Sequence, residues 1–316
     1  MALGLSHKIR GLVNGGAANF FSRDEAGMGG YFSGVQIFHT VKEMQAAVVA
    51  GKRTKRRIAL VPTMGGLHQG HVALIRKARE RGAAVVVSIY VNPAQFNNQD
   101  DFIQYHRDLE TDLRLCQREN VEVVFTPSDD EMYPGSVAEP TTWVEELDVA
   151  RPLEGEKRPG HFRGVCTVVA KLFNIVQPDM AIFGEKDFQQ LRVVQRMTRD
   201  LCYPVEIVPV PTVREADGLA LSTRNQRLDS TERAQAAVLW KALSVAQDLF
   251  NGGEHNGYRL RAAMMRTLEL APSARVDYAE VVSGDTLRPV AEVKRGDVAL
   301  IAVYIGRTRL IDNLPL

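Results

Sequence analysis

Two histidines three residues apart, His68 and His71 in VPTMGGLHQGH (61–71), stand where an apolar run gives way to a helical pattern. Arg57 to Val61 reads as a buried strand, and Val72, Leu74, Ile75 and Ala78 fall on one helical stripe. Open α/β sheets bind ligands where a strand hands over to a helix, and the unpaired N–H groups of the helix start suit phosphate. Gly65 and Gly66 lack a Cβ, so their backbone N–H groups can come close to a ligand. If the helix begins early enough, both imidazoles share a face and can donate to phosphate oxygens. A tight turn with two solvated histidines, or a metal pair, would use the same residues, although no third metal ligand is obvious. The segment is neither a P-loop nor a G-x-G-x-x-G turn.

Three further segments carry matching chemistry. NPAQF (92–96) follows a second apolar run. The Gln95 amide there offers a polar small molecule both a donor and an acceptor, or is a plain turn residue. GEKDFQQ (184–190) follows the run Met180–Phe183 and brings Lys186 as a mobile cation, while Asp187 also reads as a helix N-cap. The triplet recurs as Gly155-Glu-Lys157 without a preceding strand, so only the copy at 184–186 is expected to face a ligand. ALSTRN (220–225) offers the hydroxyls of Ser222 and Thr223 and the Arg224 fork, which suits phosphate better than a lysine does; taken singly it is also readable as a polar loop. No carboxylate dyad stands out and no serine sits in a nucleophile elbow. The set as a whole fits a polyphosphate, with chemistry at phosphorus done by positioning and charge stabilisation.

The elements that must hold these segments alternate. Strands are expected at Ile58–Pro62, Val85–Val91, Val121–Phe125, Met180–Phe183 and Val205–Val210. Helices are expected at Val41–Ala50, 71–81, about 100–119, 164–176 and 188–200. The strands are short, rich in β-branched residues and without polar alternation, the pattern of a parallel sheet covered on both faces. Right-handed crossovers make it a doubly wound, Rossmann-like sheet. The proline-bearing stretch 127–162 reads as material partly covering the site. Beyond Val213 the texture changes. A helix over 231–250 opens at Asp229 with Glu232 three residues on, a capping-box start. Another follows over 258–270, then strands at Val276–Val282, Asp297–Tyr304 and Arg309–Asp312 without helices between them. The fold class is therefore α/β, a doubly wound parallel-sheet domain over 35–212 with a smaller α+β domain over 213–316. Residues 1–34 are glycine-rich and aperiodic. They read as a poorly ordered N-terminal extension with no catalytic role; a weak targeting peptide is the other reading, against which Asp24 and Glu25 argue.

Bulk properties narrow the partners. The 316 residues are 45% hydrophobic and 24% charged with a net charge of +1, so no basic excess calls for a nucleic acid. The three cysteines, Cys116, Cys166 and Cys202, have no metal-ligand spacing and suit a reducing cytosol. No run of about 18 apolar residues occurs, so no membrane span is expected.

From about residue 36 to Asp312-Asn313 the chain resembles the pantothenate synthetase (pantoate–β-alanine ligase) family, within the nucleotidyltransferase superfamily that shares an HxGH-type signature. VPTMGGLHQGH, VVSIYVNPAQF, RPGHFRGVCTVVAKLFNIVQPD, FGEKDFQQ, DGLALSTRN and LIDN carry the likeness, in that order. The resemblance implies condensation of (R)-pantoate with β-alanine, with ATP split to AMP and diphosphate through a pantoyl adenylate. It implies that Met64, Gly65, Gly66, Leu67, His68, Gln69, Gly70 and His71 hold ATP, with His71 as proton donor. Gly184, Glu185, Lys186, Asp187, Val213, Leu221, Ser222, Thr223 and Arg224 would line the ATP site, with Lys186 and Arg224 acting on phosphate. Gln95 and Gln190 would hold pantoate, Gln95 near β-alanine, and Asn92 and Arg163 would belong to the wider pocket. Mg²⁺ would accompany ATP, with ligands unspecified. The smaller domain would close over the ATP site, and the protein would be a cytoplasmic homodimer acting on small molecules. Two departures stand out: Thr223 replaces a common serine but keeps the hydroxyl, and His106 replaces a common proline, which is expected to loosen a loop without touching the chemistry. The rival readings are another small-molecule nucleotidyltransferase and a non-catalytic nucleotide-binding protein.

Overall fold

The computed structural model describes residues 34–52, 55–97, 99–136 and 140–316. The expected N-terminal extension lies, Gly34 apart, outside the described residues. Six parallel strands form one sheet: β1 (Gln36–Phe38), β2 (Ile58–Thr63), β3 (Ala84–Ile89), β4 (Val123–Phe125), β5 (Met180–Gly184) and β6 (Glu206–Val210), in the spatial order β1-β4-β3-β2-β5-β6. From β2 the chain steps outward through β3 to β4, then returns to the other side of β2 for β5 and β6. The order thus reverses at β2 and β5, and the crevice beyond their C-terminal ends is where such a sheet binds ligands.

The apolar runs without alternation have a direct cause. In β2, Ile58 and Leu60 enter one core with Val165, Val169 and Phe173 of helix α4 (His161–Val176). Ala59 and Val61 enter the opposite core with Val72, Ile75 and Ala78 of helix α2 (Gln69–Glu80). Helix α1 (Val41–Lys52) lies on the α4 side through Met44 and Val48. Successive side chains of a strand point to opposite faces, and here both faces are dry.

Two expected helices are each broken. The one over about 100–119 divides into Gln99–Ile103 and α3 (Leu109–Arg118). Arg107 folds back to donate to the carbonyls of Phe102, Ile103 and Tyr105, while Asp108 caps α3 by accepting from the Thr111 N–H. These local bonds satisfy the groups that a continuous ladder would have used. The helix over 231–250 divides into Ser230–Ala236 and α6 (Val238–Asn251), because Ala237 at φ −60°, ψ −15° tightens the turn toward 3₁₀ geometry. The expected Asp229–Glu232 capping box is present. Between these two breaks lies α5 (Phe188–Asp200).

A second sheet has three antiparallel strands, β7 (Ala274–Val282), β8 (Val298–Ile305) and β9 (Thr308–Pro315). Leu239, Leu243 and Ala246 of α6 and Leu260, Met264 and Leu268 of α7 (Gly257–Leu268) pack on it in a separate core. Buried Glu154 joins this unit to the larger one. It accepts Arg309 Nη1 at 2.8 Å, Arg309 Nη2 at 2.7 Å and the Tyr278 hydroxyl at 2.9 Å. Among the described residues no helix is long and apolar enough to cross a membrane, and the three cysteines are free.

Candidate active site

The turn from β2 to α2 is built from beneath. Asp112 on α3 is buried, and its two oxygens accept the N–H groups of Gly66 at 2.9 Å and Leu67 at 2.7 Å. Gly65 N–H turns to the Thr63 hydroxyl. This corrects the expectation that the glycine pair aims its N–H groups at a ligand, since all three are consumed inside the protein. The glycines serve backbone shape instead, at φ +83° and +63°, where a side chain is strained. They also allow close approach: a Cβ on Gly66 would lie 2.9 Å from Thr223 Cγ2 and 3.5 Å from His106 Cδ2. The turn and the Arg224 segment therefore touch. His106 abuts the turn as well, nearer the chemistry than expected.

Helix α2 begins at Gln69, earlier than expected, with His68 as its N-cap. His68 Nδ1 accepts from the Gly70 N–H at 3.1 Å, and His71 Nδ1 accepts from the His68 N–H at 3.2 Å. A backbone N–H can only donate, so each Nδ1 carries no proton and each neutral ring carries it on Nε2. The rings lie 4.2 Å apart, with their Nε2 edges away from the backbone. Burial, then the charge of Lys186, pushes His68 down to about 4 against the pull of Asp187. Burial, then His68, pushes His71 down to about 3. At neutral pH both rings are uncharged N–H donors.

Beyond β3 a chain of hydrogen bonds orients Gln95. The Tyr133 hydroxyl donates to Asn92 Oδ1 at 2.8 Å, and Asn92 Nδ2 donates to the Gly164 carbonyl at 3.2 Å and to Gln95 Oε1 at 3.0 Å. The carbonyl settles which end of Asn92 is the amide, and Asn92 settles Gln95. Gln95 Nε2 is left toward Met64 Sδ, at 3.2 Å, on the cavity wall. His161 supports the same residue, donating from Nδ1 to the Gln95 carbonyl at 2.8 Å and accepting Arg158 Nη1 at Nε2. Burial, then Arg158, holds His161 near 3.

Beyond β5 the turn Glu185–Asp187 leads into α5. Asp187 occupies the N-cap position but makes no side-chain capping bond; its carboxylate faces Lys186 Nζ at 3.4 Å. Burial opposes the charge of Asp187, but Lys186 and Arg224 outweigh it and hold its carboxyl below the usual range. Gln190 lines the cavity, whereas its neighbour Gln189 is structural, tying down the carbonyls of Val149 and Pro152 and the Glu154 N–H. The chain leaving β6 doubles back through the bond from Leu221 N–H to the Val213 carbonyl, which returns Ser222, Thr223 and Arg224 to the mouth of the crevice. There Arg224 Nη2 meets Asp101 at 2.8 Å.

One cavity collects these groups. Met64, His68, Gly70, His71, Asn92, Gln95, Gly184, Lys186, Asp187, Gln190, Val213, Leu221, Ser222, Thr223 and Arg224 all line it. Gly65, Gly66, Leu67, Gln69 and Glu185 are not on its wall. Arg163, expected in the wider pocket, is not there either, and the reason is helical phase. On α4, His161, Val165, Val168, Val169 and Leu172 face the cavity, while Arg163 points elsewhere and stacks on Trp143, 4.3 Å from the ring centre. The second Gly-Glu-Lys copy also stays away, with Lys157 between Glu156 and Asp277. Asp112, Arg158 and His161 are site residues that sequence reasoning missed. Asp112 had one signal, an acid on the same helical face as Leu115 and Cys116. Arg158 and His161 belong to the quoted RPGH run but carried no assigned role.

A doubly wound sheet with a cationic, donor-rich crevice at its reversal point defines a nucleotide-binding α/β enzyme. Residues 36–315 match the profile of the family described as pantoate-beta-alanine ligase. A pantothenate synthetase of Thermotoga neapolitana is 47% identical over 282 residues, which cover 89% of this chain and all of the relative. One from Geobacter sulfurreducens is 48% identical over 282 residues, covering 89% of this chain and 99% of the relative. The crystal structure of pantothenate synthetase from Thermus thermophilus superposes with a TM-score of 0.83 at 44% identity, over 89% of this chain and 99% of that one. A pantoate–β-alanine ligase from Francisella tularensis, complexed with β,γ-ATP and β-alanine, superposes at 0.73 with 33% identity, over 89% and 97% of the two chains. The chain belongs to the pantoate–β-alanine ligase family, and its activity is the ATP-dependent ligation of pantoate and β-alanine.

Proposed function

We propose that the reaction runs through a pantoyl adenylate formed in the crevice beyond β2 and β5. A pantoate carboxylate oxygen attacks the α-phosphorus, the bond to the β-phosphate oxygen breaks, and diphosphate leaves with the electron pair. The neutral β-alanine amine then attacks the acyl carbon, AMP departs with the electrons of the C–O bond, and the proton lost by the amine nitrogen passes to solvent. His68 and His71 donate through Nε2–H to oxygens that gain charge, and Lys186 and Arg224 supply the cations. Each fixed donor is worth about 10²–10³ in rate. His71 acts by hydrogen bonding, because a neutral ring that gave up its Nε2 proton outright would become an imidazolate. Gln95, with its amide end toward the cavity, and Gln190 hold pantoate. The observation that carries the reading is the convergence of the two locked imidazoles, Lys186 and Arg224 on one cavity.

Among the described residues no group of three or more His, Cys, Asp and Glu side chains is arranged to hold a metal ion. Mg²⁺ typically takes one or two carboxylates and completes its shell with substrate phosphates and water, so the residues present fit an ion that comes with ATP. Asp187, a carboxylate on the cavity wall, would hold it, and the ion would neutralise phosphate charge. The larger unit, 35–212, binds the substrates, and the smaller, 213–316, closes over the nucleotide. The family resemblance extends the reading to a cytoplasmic homodimer with neither nucleic acid nor membrane as partner; sedimentation at twice the mass of one chain checks the dimer. The deciding assay follows diphosphate and AMP from ATP with pantoate, with and without β-alanine. One enzyme equivalent of diphosphate without β-alanine, and turnover with it, is expected. Diphosphate release that needs nicotinate mononucleotide or a phosphorylated alcohol instead of pantoate would replace this reading by that of another nucleotidyltransferase.

A further inference from the structure

The LIDN run near the C-terminus has no part in the reaction as derived so far, yet its last residue reaches the loop that carries Lys186. Asn313 on β9 is buried, and its single Nδ2 group donates to two successive backbone carbonyls, Glu185 O at 2.8 Å and Lys186 O at 2.9 Å. Carbonyls only accept, so the amide orientation is unambiguous and both of its hydrogens are used. Asn313 is itself clamped. Its carbonyl accepts Arg214 Nη2 at 3.1 Å and its N–H donates to Asp312 Oδ1 at 2.8 Å. Asp312 in turn takes both arms of Arg214, at 2.6 and 3.0 Å, and that guanidinium lies 4.0 Å from the centre of the Trp240 ring.

The consequence is geometric. Two adjacent carbonyls held by one amide restrict the peptide planes on either side of Lys186, and these planes set the direction in which its Cα–Cβ bond leaves the backbone. Among the described residues only the Asp187 carboxylate, at 3.4 Å, guides the ammonium group of Lys186. We propose that Asn313 is a positioning residue for adenylate formation, fixing the Lys186 turn from the smaller sheet so that the ammonium meets the phosphates. This rests on the reading that Lys186 acts on ATP. It also makes placement of the smaller sheet and placement of Lys186 one event.

The test is a double-mutant cycle on the full chain with Asn313→Ala, Lys186→Ala and the pair, read in two half-reactions. The first is diphosphate release from ATP and pantoate. The second is pantothenate formation from synthetic pantoyl adenylate and β-alanine, where no triphosphate is present for Lys186 to meet. A misplacement of about 1 Å costs about 10²-fold. Asn313→Ala should therefore slow the first half-reaction about 10–10²-fold, chiefly in kcat, leave the second within about 3-fold, and add nothing in the Lys186→Ala background. Asn313→Asp, equal in size but without the donors, should behave as the alanine variant does. Should Asn313→Ala fail to fold, Asn313→Ser carries the same cycle. Equal losses in both half-reactions, or losses that multiply in the double variant, would show a merely structural role and overturn the proposal. A large loss for Lys186→Ala with none for Asn313→Ala sinks this inference alone, whereas no loss for Lys186→Ala sinks the reading beneath it as well.

Discussion

Gly66→Ala tests how tightly the histidine turn is wedged against the segment that carries Arg224. Two costs can be separated. At φ +63° an alanine is strained by about 1–2 kcal/mol. Its Cβ would also lie 2.9 Å from Thr223 Cγ2, well inside van der Waals contact, an overpacking that costs about 1–3 kcal/mol. The turn cannot retreat, because Asp112 holds the N–H groups of Gly66 and Leu67 from below. Thr223→Ser removes the offending methyl and keeps the hydroxyl, so alone it should leave kcat/KM for ATP nearly unchanged. In the double variant the steric part should vanish and the backbone part remain. The expected coupling is about 1–3 kcal/mol, or about 5- to 150-fold in kcat/KM for ATP, measured as diphosphate release with saturating pantoate. Additivity within about 0.5 kcal/mol would refute the contact as the cause, whatever the size of the single effects.

Three other outcomes are expected. His71→Ala should lower adenylate formation by at least about 10²-fold with an unchanged circular dichroism spectrum; near-normal turnover removes His71 from the mechanism. Buried His161 sits near 3 in the fold against 6.5 when unfolded, so its contribution is complete above pH 6.5 and drains away as pH falls toward 3. Between pH 6.5 and 5, above most carboxylate titration, His161 accounts for about 2 kcal/mol, in addition to the losses from the depressed His68 and His71; urea unfolding of His161→Gln with the same pH slope as the parent protein contradicts the assignment. Glu154→Ala strips a buried carboxylate from Arg309 and Tyr278 and should destabilise the protein by about 3 kcal/mol. An unchanged urea midpoint would mean that Asp277, 2.9 Å from Arg309, suffices alone.

The layout of the larger sheet was legible because two-sided burial leaves a local mark. Ile58 to Val61 is apolar at every position, and each residue enters one core or the other. The parallel order and the crevice at the reversal of direction follow from strands alternating with helices. The interruption after Ile103 was harder to see. Arg107 ends the first helix by bending back on three carbonyls, a conformation with no periodic signature, and the Asp108 cap was masked by apolar spacing that fits a continuous helix.

At the site, residue types were readable and their states were not. His68, His71 and Lys186 could be chosen from the ends of predicted elements, because spacing within one segment and position after a strand are local properties; Arg224 stood in a polar loop and was chosen by its residue type and the family likeness. The destination of the Gly66 and Leu67 N–H groups depends on Asp112, 46 and 45 residues away, so the turn looked like an open anion cradle and is a filled one. Likewise the amide that grips the Lys186 turn comes from Asn313, 127 residues away from Lys186, and Arg163 lost its place to the phase of its own helix against the cavity. Periodicity and chain order fixed the alternation of five of the six strands with their helices, the layering and which segments end at the crevice; the short edge strand β1 (Gln36–Phe38) and the two helix breaks carry no periodic mark. Tautomers, protonation and hydrogen-bond partners are set on folding, since these depend on desolvation and on groups delivered from distant parts of the chain.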